Sequence, residues 1–438
     1  MHTYIIVSAA FQDAGDTTRA IALATALREH CPEGHELKID FLSCGSRFEP
    51  IIRRAGFNIV PCEPRVPGLS VADDLGWDFP EFFGSEGIAR TFIEGQLEAF
   101  RTLRPDVVLH GMWPVTSIAA RLLGIRTINF LPLPVHRAAF TNGLIRDLPD
   151  MVPGFTRLPR PARQWLAGHF SHLMAYAPTM KQHRLGAAAT ACGWPGLKGG
   201  PISLFDMNTA DLNLVNDLPS FHADYSHLLP ENVVITGALF AQIHDTAELD
   251  ADIAAHLHND DGTSILVTMG SSGTKEFLLE AIRALILNRN DNWNAVVLAA
   301  PAVCSLKEAR SVANDDPRIL VTDRFIPAPA ATALADVVIM HGGQGTVQTA
   351  IAAGTPVVGV ALQVEQQTNL DNVMNAGAGI RIQRRSWRPD SIRAAVKTVL
   401  ADSNYKVHAM ELAEAIRTMD GAKKAADVMW NFLLEEEK

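Results

Sequence analysis

The sequence predicts an α/β protein whose chain forms two doubly wound parallel sheets. Short apolar segments alternate with segments of helical periodicity, a pattern that is typical of parallel β-α units. It occurs in both halves of the 438-residue chain, which is long enough for two or three domains. A polar stretch rich in Asp and Asn, residues 244–262, lies between the halves. We therefore expect one sheet on each side of this stretch.

In the first half, apolar segments predict strands at 4–9, 37–42, 57–60, 106–110, 127–131, 212–215 and 233–235, and periodicity predicts helices at 17–29, 46–55, 86–103 and 115–123. Two irregular segments, 64–83 and 132–173, interrupt this pattern. Such segments usually shape a binding site on an α/β scaffold. Their aromatic and histidine side chains are candidates for contact with an apolar ligand, and the alternative is that they only pack the loops. These residues are Trp77, Phe82, Phe83, His136, Phe140 and Trp165.

The second half repeats the alternation, with predicted strands at 264–269, 295–299, 318–321, 335–340 and 356–360, and predicted helices at 274–288, 303–313, 328–334 and 346–353. The last part of the chain, residues 405–434, has a strongly helical pattern. Asp250 and Asp252 in the polar stretch could hold a metal ion, but a charge run of this kind more often marks a solvated helix. We therefore interpret 244–262 as a linker and predict no metal site.

Bulk properties exclude several classes of function. The net charge of −10 argues against a general nucleic-acid-binding protein, which would have basic surfaces. The five cysteines are scattered without metal-ligand spacing, which indicates reduced thiols in the cytosol. The apolar run at the N-terminus is short and has no basic flank, so we expect a buried strand rather than a signal peptide. No apolar stretch is long enough to span a bilayer, and we expect a cytoplasmic protein with no membrane insertion.

The run from His341 to Thr346 carries the strongest functional signal. It lies between a predicted buried strand and a predicted helix, and its glycines Gly342, Gly343 and Gly345 let backbone N–H groups approach an anion closely. The helix N-terminus adds donors without a partner and a partial positive charge, and His341 adds one more donor. The pattern predicts a phosphate-binding turn.

A second polar cluster follows the next predicted strand. Glu365, Gln366 and Asn369 come after the segment 356–360, and carboxylate and amide groups are suited to hydroxyl recognition. Ligands of open α/β sheets bind at the carboxyl ends of the strands. A phosphate-binding turn beside a hydroxyl-binding cluster is the arrangement that a nucleotide-sugar requires.

These segments together resemble the donor signature of family 1 glycosyltransferases, inverting enzymes of the GT-B fold that use nucleotide-sugars. The segments that carry the resemblance are His341-Gly342-Gly343-Gln344-Gly345-Thr346, Gly354-Thr355-Pro356, Glu365-Gln366-Gln367-Thr368-Asn369 and Gly377-Ala378-Gly379. Upstream, Phe325-Ile326-Pro327-Ala328 is similar to the family's Trp-x-Pro-Gln segment, and Gly270-Ser271 to its glycine-serine loop. The N-terminal Gly15-Asp16 and the helical segment after it resemble the family's opening strand-loop-helix unit.

The resemblance implies a role for each matching position. His341 would contact a donor phosphate, and Gly343, Gln344, Gly345 and Thr346 would hold the diphosphate through backbone N–H groups and the Thr346 hydroxyl. Gly270 and Ser271 would line the diphosphate or the sugar, Phe325 and the backbone near Ala328 would meet the base, and Glu365 and Gln366 would bind sugar hydroxyls. The chain departs from the family at four of its positions: Phe325 replaces Trp, Ala328 replaces Gln, Ala361 replaces Pro and Glu365 replaces Asp.

On the acceptor side, the resemblance implies that Asp16 takes the place of the histidine base found in most members, as in the subset with Gly-Asp. Asp13 is the rival base, and the alternative is that Asp16 only caps the helix that follows. Plant-type members pair their histidine with an aspartate where this chain has Gly111, and the adjacent His110 could instead face Asp16.

The implied enzyme transfers a sugar, in one inverting displacement, from a UDP- or dTDP-sugar to a hydroxyl of an apolar small molecule, with no metal and no cofactor. Its GT-B architecture implies two Rossmann-like domains facing across a cleft. The acceptor domain is 1–243, the linker 244–262, the donor domain 263–415, and the helix 416–438 packs back toward the first domain. Two alternatives stay open from the residues: a nucleotide-sugar epimerase of the same fold, and a non-catalytic nucleotide-sugar-binding protein.

Overall fold

The computed structural model describes residues 2–9, 14–68, 71–78, 80–142, 144–150, 154, 157–174, 181–194, 202–240, 248–258, 262–287, 291–324 and 326–435. The chain divides into two compact units. The first unit comprises Met1–Leu144, Phe170–His244 and Asp420–Lys438, and the second comprises Ile145–His169 and Asp245–Met419.

Strands and helices alternate along the first half, as predicted. In chain order they are β1 (His2–Ser8), α1 (Ala14–Glu29), β2 (Glu36–Ser43), α2 (Glu49–Arg54), β3 (Asn58–Pro61), α3 (Val71–Leu75), α4 (Glu86–Leu103), β4 (Val107–His110), α5 (Pro114–Leu122), β5 (Arg126–Asn129), α6 (Arg137–Thr141), α7 (Arg160–Met174), β6 (Lys181–Gln182), α8 (His183–Ala191), β7 (Ile202–Ser203), α9 (Leu204–Asn208), β8 (Leu212–Val215) and β9 (Val233–Ile235).

The second half continues with α10 (Ala251–Leu257), β10 (Thr263–Thr268), α11 (Lys275–Ile286), β11 (Trp293–Leu298), α12 (Leu306–Ala313), β12 (Ile319–Thr322), α13 (Ala328–Ala333), β13 (Val337–Met340), α14 (Gln344–Ala352), β14 (Val357–Gly359), α15 (Val364–Asn375), β15 (Gly379–Arg381), α16 (Pro389–Ala401), α17 (Asn404–Thr418) and α18 (Gly421–Leu434). Short 3₁₀ turns lie at Leu133–Val135, Pro219–His222, Ser226–Leu228 and Arg384–Ser386. Every strand and helix predicted from the periodicity is present, with bounds shifted by a few residues.

Each unit contains one parallel sheet, which confirms the predicted fold class. The first sheet has seven strands in the order β3-β2-β1-β4-β5-β8-β9, and the second has six in the order β12-β11-β10-β13-β14-β15. The order reverses between β1 and β4 in the first sheet and between β10 and β13 in the second. Ligands of open α/β sheets bind beside the carboxyl ends of strands at such reversals. The fold therefore places one candidate binding edge in each unit.

Alternate residues of β1 pack into two different layers of the first unit. Ile5 and Val7 join a core formed with α1 and α18, whereas Tyr4 and Ile6 join the core beneath α4 and α5. Strands that are buried on both faces have continuous apolar sequences, and this is why the sequence predicts them. In the second unit, the corresponding core lies between the sheet and the helices α11 and α16.

The end of the chain forms two helices rather than one. Asp420 caps the N-terminus of α18 by accepting a hydrogen bond from the Lys423 N–H at 2.8 Å. Within the first unit, α18 packs on α1, where the Trp430 indole Nε1–H donates to the Leu27 carbonyl at 3.1 Å. Gly421 lies close to the backbone of Ala238. A Cβ at position 421 would be only 2.5 Å from the Ala238 carbonyl oxygen, so a glycine is required there.

Residues 145–169 group with the second unit, although the sequence-based division placed all of 1–243 in the first domain. A buried ion cluster explains the difference. The Arg381 guanidinium donates to Asp147 at 2.5 Å, to Asp150 at 2.6 Å and to Asp371 at 2.7 Å, and Arg163 donates to Asp147 at 2.7 Å. Breaking a buried pair of this kind leaves an uncompensated charge, so the segment is held firmly within its unit.

The described part of the predicted linker is also structured. Residues 251–257 form α10, whose Ile253 and Leu257 are buried in the second unit. Asp250 and Asp252, considered above as metal ligands, form ion pairs with Arg324 at 2.7 and 2.6 Å. These carboxylates are exposed, so they contribute little stability. Among the described helices, none is long and apolar enough to cross a membrane.

Candidate functional site

The turn between β13 and α14 has the geometry of an anion-binding turn. Gly342 adopts a φ of +86°, which favours glycine, and Gly343 is the N-cap residue of α14 without any side-chain cap. The first-turn N–H groups of a helix have no partner within the helix. Gly345 has open space around the position of a Cβ, and Thr346 follows it in the same turn. The sequence therefore predicted the local geometry at these positions, and their part in donor binding stays a prediction.

The His341 imidazole is held between two glycines. A Cβ on Gly270 would lie 2.4 Å from the ring carbon Cε1, and a Cβ on Gly343 would lie 2.6 Å from Nε2. The ring is 3% exposed, and burial lowers the pKa of His341 from 6.5 to about 4. Among the described residues, its Nδ1 atom has no hydrogen-bond partner. A neutral histidine with such a nitrogen in a buried turn is suited to contact with a ligand.

Glu365 lies in the first turn of α15 and reaches the phosphate-binding turn. Its Oε1 accepts hydrogen bonds from the Gln344 N–H at 3.2 Å and from the Asn369 amide at 2.6 Å. The same Asn369 amide donates to the Gly342 carbonyl at 3.0 Å. The carboxylate thus lies at the positive end of α14, where negative charge is stabilised. These hydrogen bonds connect the phosphate-binding turn to α15, the helix that carries the predicted sugar-binding residues.

Gln366 is buried and its amide group is used within the protein. Its Oε1 accepts from the Leu362 N–H at 2.9 Å, and its Nε2 donates to the Ser272 hydroxyl at 3.5 Å. The Ser272 hydroxyl lies 3.3 Å from His341 Nε2. Ser272 was not predicted, since the resemblance pointed to the neighbouring Ser271. The doubled serine after Gly270 was the available signal, but sequence does not tell which of the two faces the histidine.

The predicted base-binding segment is only partly described. Ala328 is the first residue of α13 and is exposed, whereas Phe325 lies outside the described residues. Ala361, which stands where the family has proline, is 3% exposed.

Asp16 lies at the carboxyl edge of the first sheet and is 3% exposed. Because α1 begins at Ala14, Asp16 lies inside the first turn and is not the residue that caps the helix from outside, which contradicts the capping alternative. Its Oδ1 accepts from Arg19 at 2.6 Å and its Oδ2 from the Met112 N–H at 3.0 Å. The rival Asp13 lies outside the described residues.

Gly111 makes room for the Asp16 carboxylate. A Cβ at position 111 would lie 2.6 Å from Asp16 Oδ2, so the aspartate of plant-type enzymes does not fit here. The adjacent His110 is fully buried, and its Nδ1–H donates to the Gly111 carbonyl at 3.0 Å. Burial lowers the pKa of His110 to about 4. His110 is therefore neutral, and its part in catalysis beside Asp16 stays a prediction.

The six residues predicted to contact the acceptor differ in how far their side chains are buried. Phe83 is fully buried in an aromatic cluster, 5.8 Å from the Phe92 ring and 6.0 Å from the Trp113 ring. Phe140 is 2% exposed and packs against Phe205. Both side chains pack within the core of the first unit, as the packing alternative predicts, and a part in acceptor binding stays a prediction.

His136 is also buried, and its Nε2–H donates to the Leu131 carbonyl at 3.2 Å. This bond gives His136 a structural role. Phe82 is half-buried, and Trp77 and Trp165 are 47% and 57% exposed. Trp77 and Phe82 in the first unit and Trp165 in the second remain candidates for an apolar ligand.

Comparison with known proteins agrees with this geometry. A family model described as "Erythromycin biosynthesis protein CIII-like, C-terminal domain" matches residues 295–424. The PGL/p-HBAD biosynthesis glycosyltransferase of Mycobacterium tuberculosis is 27% identical over 334 residues, covering 74% of this chain and 70% of that protein. The 4'-demethylrebeccamycin synthase of Lentzea aerocolonigenes is 30% identical over 241 residues, covering 54% and 53%.

Solved structures resemble the chain over nearly its whole length. The glycotransferase of kitacinnamycin has 21% identity and a TM-score of 0.63, covering 98% of both chains. The calicheamicin glycosyltransferase CalG4 has 17% identity and a TM-score of 0.61, covering 99% of this chain and 98% of that one. At these identities the structures establish the fold, and the relative from Mycobacterium tuberculosis is named as a glycosyltransferase. The chain is therefore similar in sequence to named glycosyltransferases, and the solved structures that it resembles show that it has the GT-B fold.

Proposed function

We propose that this glycosyltransferase moves a sugar from a UDP- or dTDP-sugar to a hydroxyl of an apolar natural product, with inversion at the anomeric carbon. One observation carries the proposal: the N-terminus of α14, the Nδ1 of His341, which has no partner among the described residues, and the Glu365 carboxylate converge on one turn. Donors, a helix terminus and a hydroxyl acceptor in this arrangement fit a diphosphate with a sugar attached.

The turn supplies what the leaving group needs. Negative charge grows on the β-phosphate as the glycosidic bond breaks, and fixed donors at that point stabilise it. The first-turn N–H groups of α14, the Thr346 hydroxyl and His341 are the donors we assign to this role. We propose that they act without a metal ion, so that chelation with EDTA leaves activity unchanged.

Glu365 is the residue that we propose binds the sugar hydroxyls. Its carboxylate already accepts from the Asn369 amide at 2.6 Å, and a carboxylate accepts several hydrogen bonds. We propose that Glu365 keeps the bond from Asn369 and exchanges the bond from Gln344 for a sugar hydroxyl, because a bound diphosphate takes over the N-terminus of α14.

Asp16 is the proposed general base. It lies in the first turn of α1, the helix that follows β1 at the strand-order reversal of the first sheet, where a ligand is expected, and Gly111 keeps space for its carboxylate. Proton transfer from the acceptor hydroxyl would occur late in the attack, as the hydroxyl becomes more acidic.

The class of acceptor is proposed from the relatives and from exposed aromatics. The names of similar proteins refer to PGL/p-HBAD biosynthesis, to 4'-demethylrebeccamycin and to spinosyn aglycone, and one solved structure is a complex with thymidine diphosphate. In the first unit the exposed ring of Trp77 and the half-buried ring of Phe82 offer apolar surface for such a molecule, and in the second unit Trp165 does so.

The proposal is tested by incubating the protein with UDP- and dTDP-sugars, with and without phenolic and polycyclic acceptors, and measuring release of nucleoside diphosphate. Acceptor-dependent release with a glycosylated product supports it. Interconversion of the sugar without acceptor would identify an epimerase instead. Binding of the nucleotide without turnover across a broad panel would indicate a non-catalytic binding protein.

A further inference from the structure

Four groups of the second unit are joined by a series of hydrogen bonds that ends at His341. The first hydrogen bond joins the Leu362 N–H to Gln366 Oε1 at 2.9 Å, and the second joins Gln366 Nε2 to Ser272 Oγ at 3.5 Å. The third lies between Ser272 Oγ and His341 Nε2, which are 3.3 Å apart. The three links join the loop before α15, the helix itself, the loop after β10 and the end of β13.

The first link sets the direction of the hydrogen bonds as far as Ser272. A backbone N–H is only a donor, so Leu362 fixes Oε1 of Gln366 as the acceptor and Nε2 as the donor. The Ser272 oxygen accepts from this amide with one of its two lone pairs, and its hydroxyl proton is free to be donated to His341 Nε2, 3.3 Å away. A histidine whose Nε2 accepts a hydrogen bond carries its proton on Nδ1 when it is neutral.

The neutral form is the relevant one for His341. Its ring is buried between Gly270 and Gly343, and burial lowers its pKa to about 4. A neutral ring donates from one nitrogen only, so the tautomer decides whether Nδ1 offers a proton or a lone pair. Nδ1 is the nitrogen that has no partner among the described residues.

We infer that Ser272 and Gln366 are positioning residues that fix His341 as the Nδ1–H tautomer, so that the histidine presents a donor to the diphosphate. This inference rests on the proposed function for the identity of the ligand. Gln366, which the resemblance assigned to sugar hydroxyls, thereby gains a positioning role, because both its Oε1 and its Nε2 form hydrogen bonds within the protein. The wrong tautomer would direct a lone pair at a phosphate oxygen and would repel it.

The tautomer is measured in the free protein by long-range ¹H–¹⁵N correlation on selectively ¹⁵N-histidine-labelled material, with His341→Gln used to assign the ring. The expected wild-type spectrum has a protonated Nδ1 and a bare Nε2 on His341. Ser272→Ala should change the ring to a mixture of tautomers or to Nε2–H, and Ser272→Thr, which keeps the hydroxyl, should restore the wild-type signals. A protonated Nε2 in the wild type, or an unchanged spectrum in Ser272→Ala, would overturn the inference.

The functional arm uses UDP and dTDP as the probes. Ser272→Ala should weaken the binding of whichever nucleotide the wild type binds by about tenfold, the loss expected for one hydrogen bond to a charged group, and Ser272→Thr should bind as the wild type does. Equal affinity in Ser272→Ala and the wild type would overturn the role in donor binding. If the wild type binds neither nucleotide but shows the expected tautomer, the proposed function fails while the assignment of the tautomer stands.

Discussion

At the scale of single residues, the proposed proton transfer depends on Asp16. Asparagine at this position can still accept the Met112 N–H, which lies 3.0 Å from Oδ2, but it has no charge with which to take a proton. We predict that Asp16→Asn lowers turnover by about 100-fold or more, the range for general base catalysis, and leaves nucleotide affinity unchanged. Release of nucleoside diphosphate and calorimetric binding of UDP and dTDP measure the two effects.

The control for this variant is Glu33→Gln, which removes an exposed carboxylate from the same unit and should leave turnover unchanged. Near-normal turnover in Asp16→Asn would show that another group is the base, and Asp13 is then the first to examine.

Gly343 tests whether the position of the His341 ring matters for the donor. Its backbone φ of −59° suits any residue, so alanine introduces only a Cβ, 2.6 Å from His341 Nε2. We predict that Gly343→Ala displaces the ring and weakens nucleotide binding by about tenfold, the loss expected for one hydrogen bond to a charged group. Gly87→Ala is the matched control, because its Cβ would meet only Ser85 Oγ at 3.8 Å. Unchanged affinity in Gly343→Ala would mean that the ring does not contact the nucleotide.

The residues of the turn were predictable because backbone geometry demands them. Gly342 adopts a positive φ, and Gly343 leaves room for an imidazole. The bond between Glu365 and the Gln344 N–H and the contact of Ser272 with His341 were not predictable. Both contacts depend on how the turns after β10 and β13 and the helix α15 pack against one another. No sequence spacing of a glutamate or a serine indicates such a contact.

At the scale of elements, α18 contributes to the stability of the first unit through Trp430. The side chain is 4% exposed in the core with α1, and its Nε1–H donates to the Leu27 carbonyl. We predict that Trp430→Ala lowers the free energy of unfolding of this unit by about 3–5 kcal/mol, the usual loss for a large buried side chain. Denaturant unfolding measures it. Leu228→Ala, at a side chain that is 47% exposed, should change stability by less than about 0.5 kcal/mol. A similarly small effect for Trp430 would mean that α18 does not stabilise its unit.

Periodicity predicted the elements well and their grouping less well. Buried parallel strands and amphipathic helices have local signatures, so the alternation along the chain was readable. The grouping of residues 145–169 with the second unit depends on Arg381, which is more than two hundred positions away from Asp147 in the sequence. Asp147 and Asp150 lie in an irregular segment without a motif, so no local signal indicates their partner.

At the scale of the whole molecule, polar residues concentrate where the strand order reverses in each sheet. Ser8 of β1 and His110 of β4 are register partners at this point of the first sheet, and Thr268 of β10 pairs with Met340 of β13 directly before the turns that carry Ser272 and His341. Each unit thus carries its candidate catalytic or donor residues at the edge that its topology opens. Among the described histidines that are buried, three have pKa values that burial lowers from 6.5 to about 4, namely His110, His136 and His341.

These buried histidines predict that the protein loses stability in mild acid. Below pH 6.5 the unfolded chain takes up protons that the folded state does not bind, so the free energy of unfolding falls as the pH falls from 6.5 toward 4. Each histidine accounts for a loss of at most about 3 kcal/mol over this window. The buried carboxyls of Asp147 and Asp371, whose pKa values are raised by burial, act in the opposite direction, because protonation favours their folded state. Single variants are therefore needed to isolate the histidines.

His136 is the most suitable residue for this test. In His136→Gln the amide can keep the hydrogen bond to the Leu131 carbonyl, but the side chain no longer titrates. We predict that thermal unfolding measured between pH 7 and pH 4.5 shows a smaller acid-induced loss of stability in His136→Gln than in the wild type. His227→Gln, which replaces an exposed histidine of the same unit, should follow the wild-type curve. If His136→Gln also follows that curve, the burial of His136 does not contribute to the acid sensitivity, which would contradict the prediction.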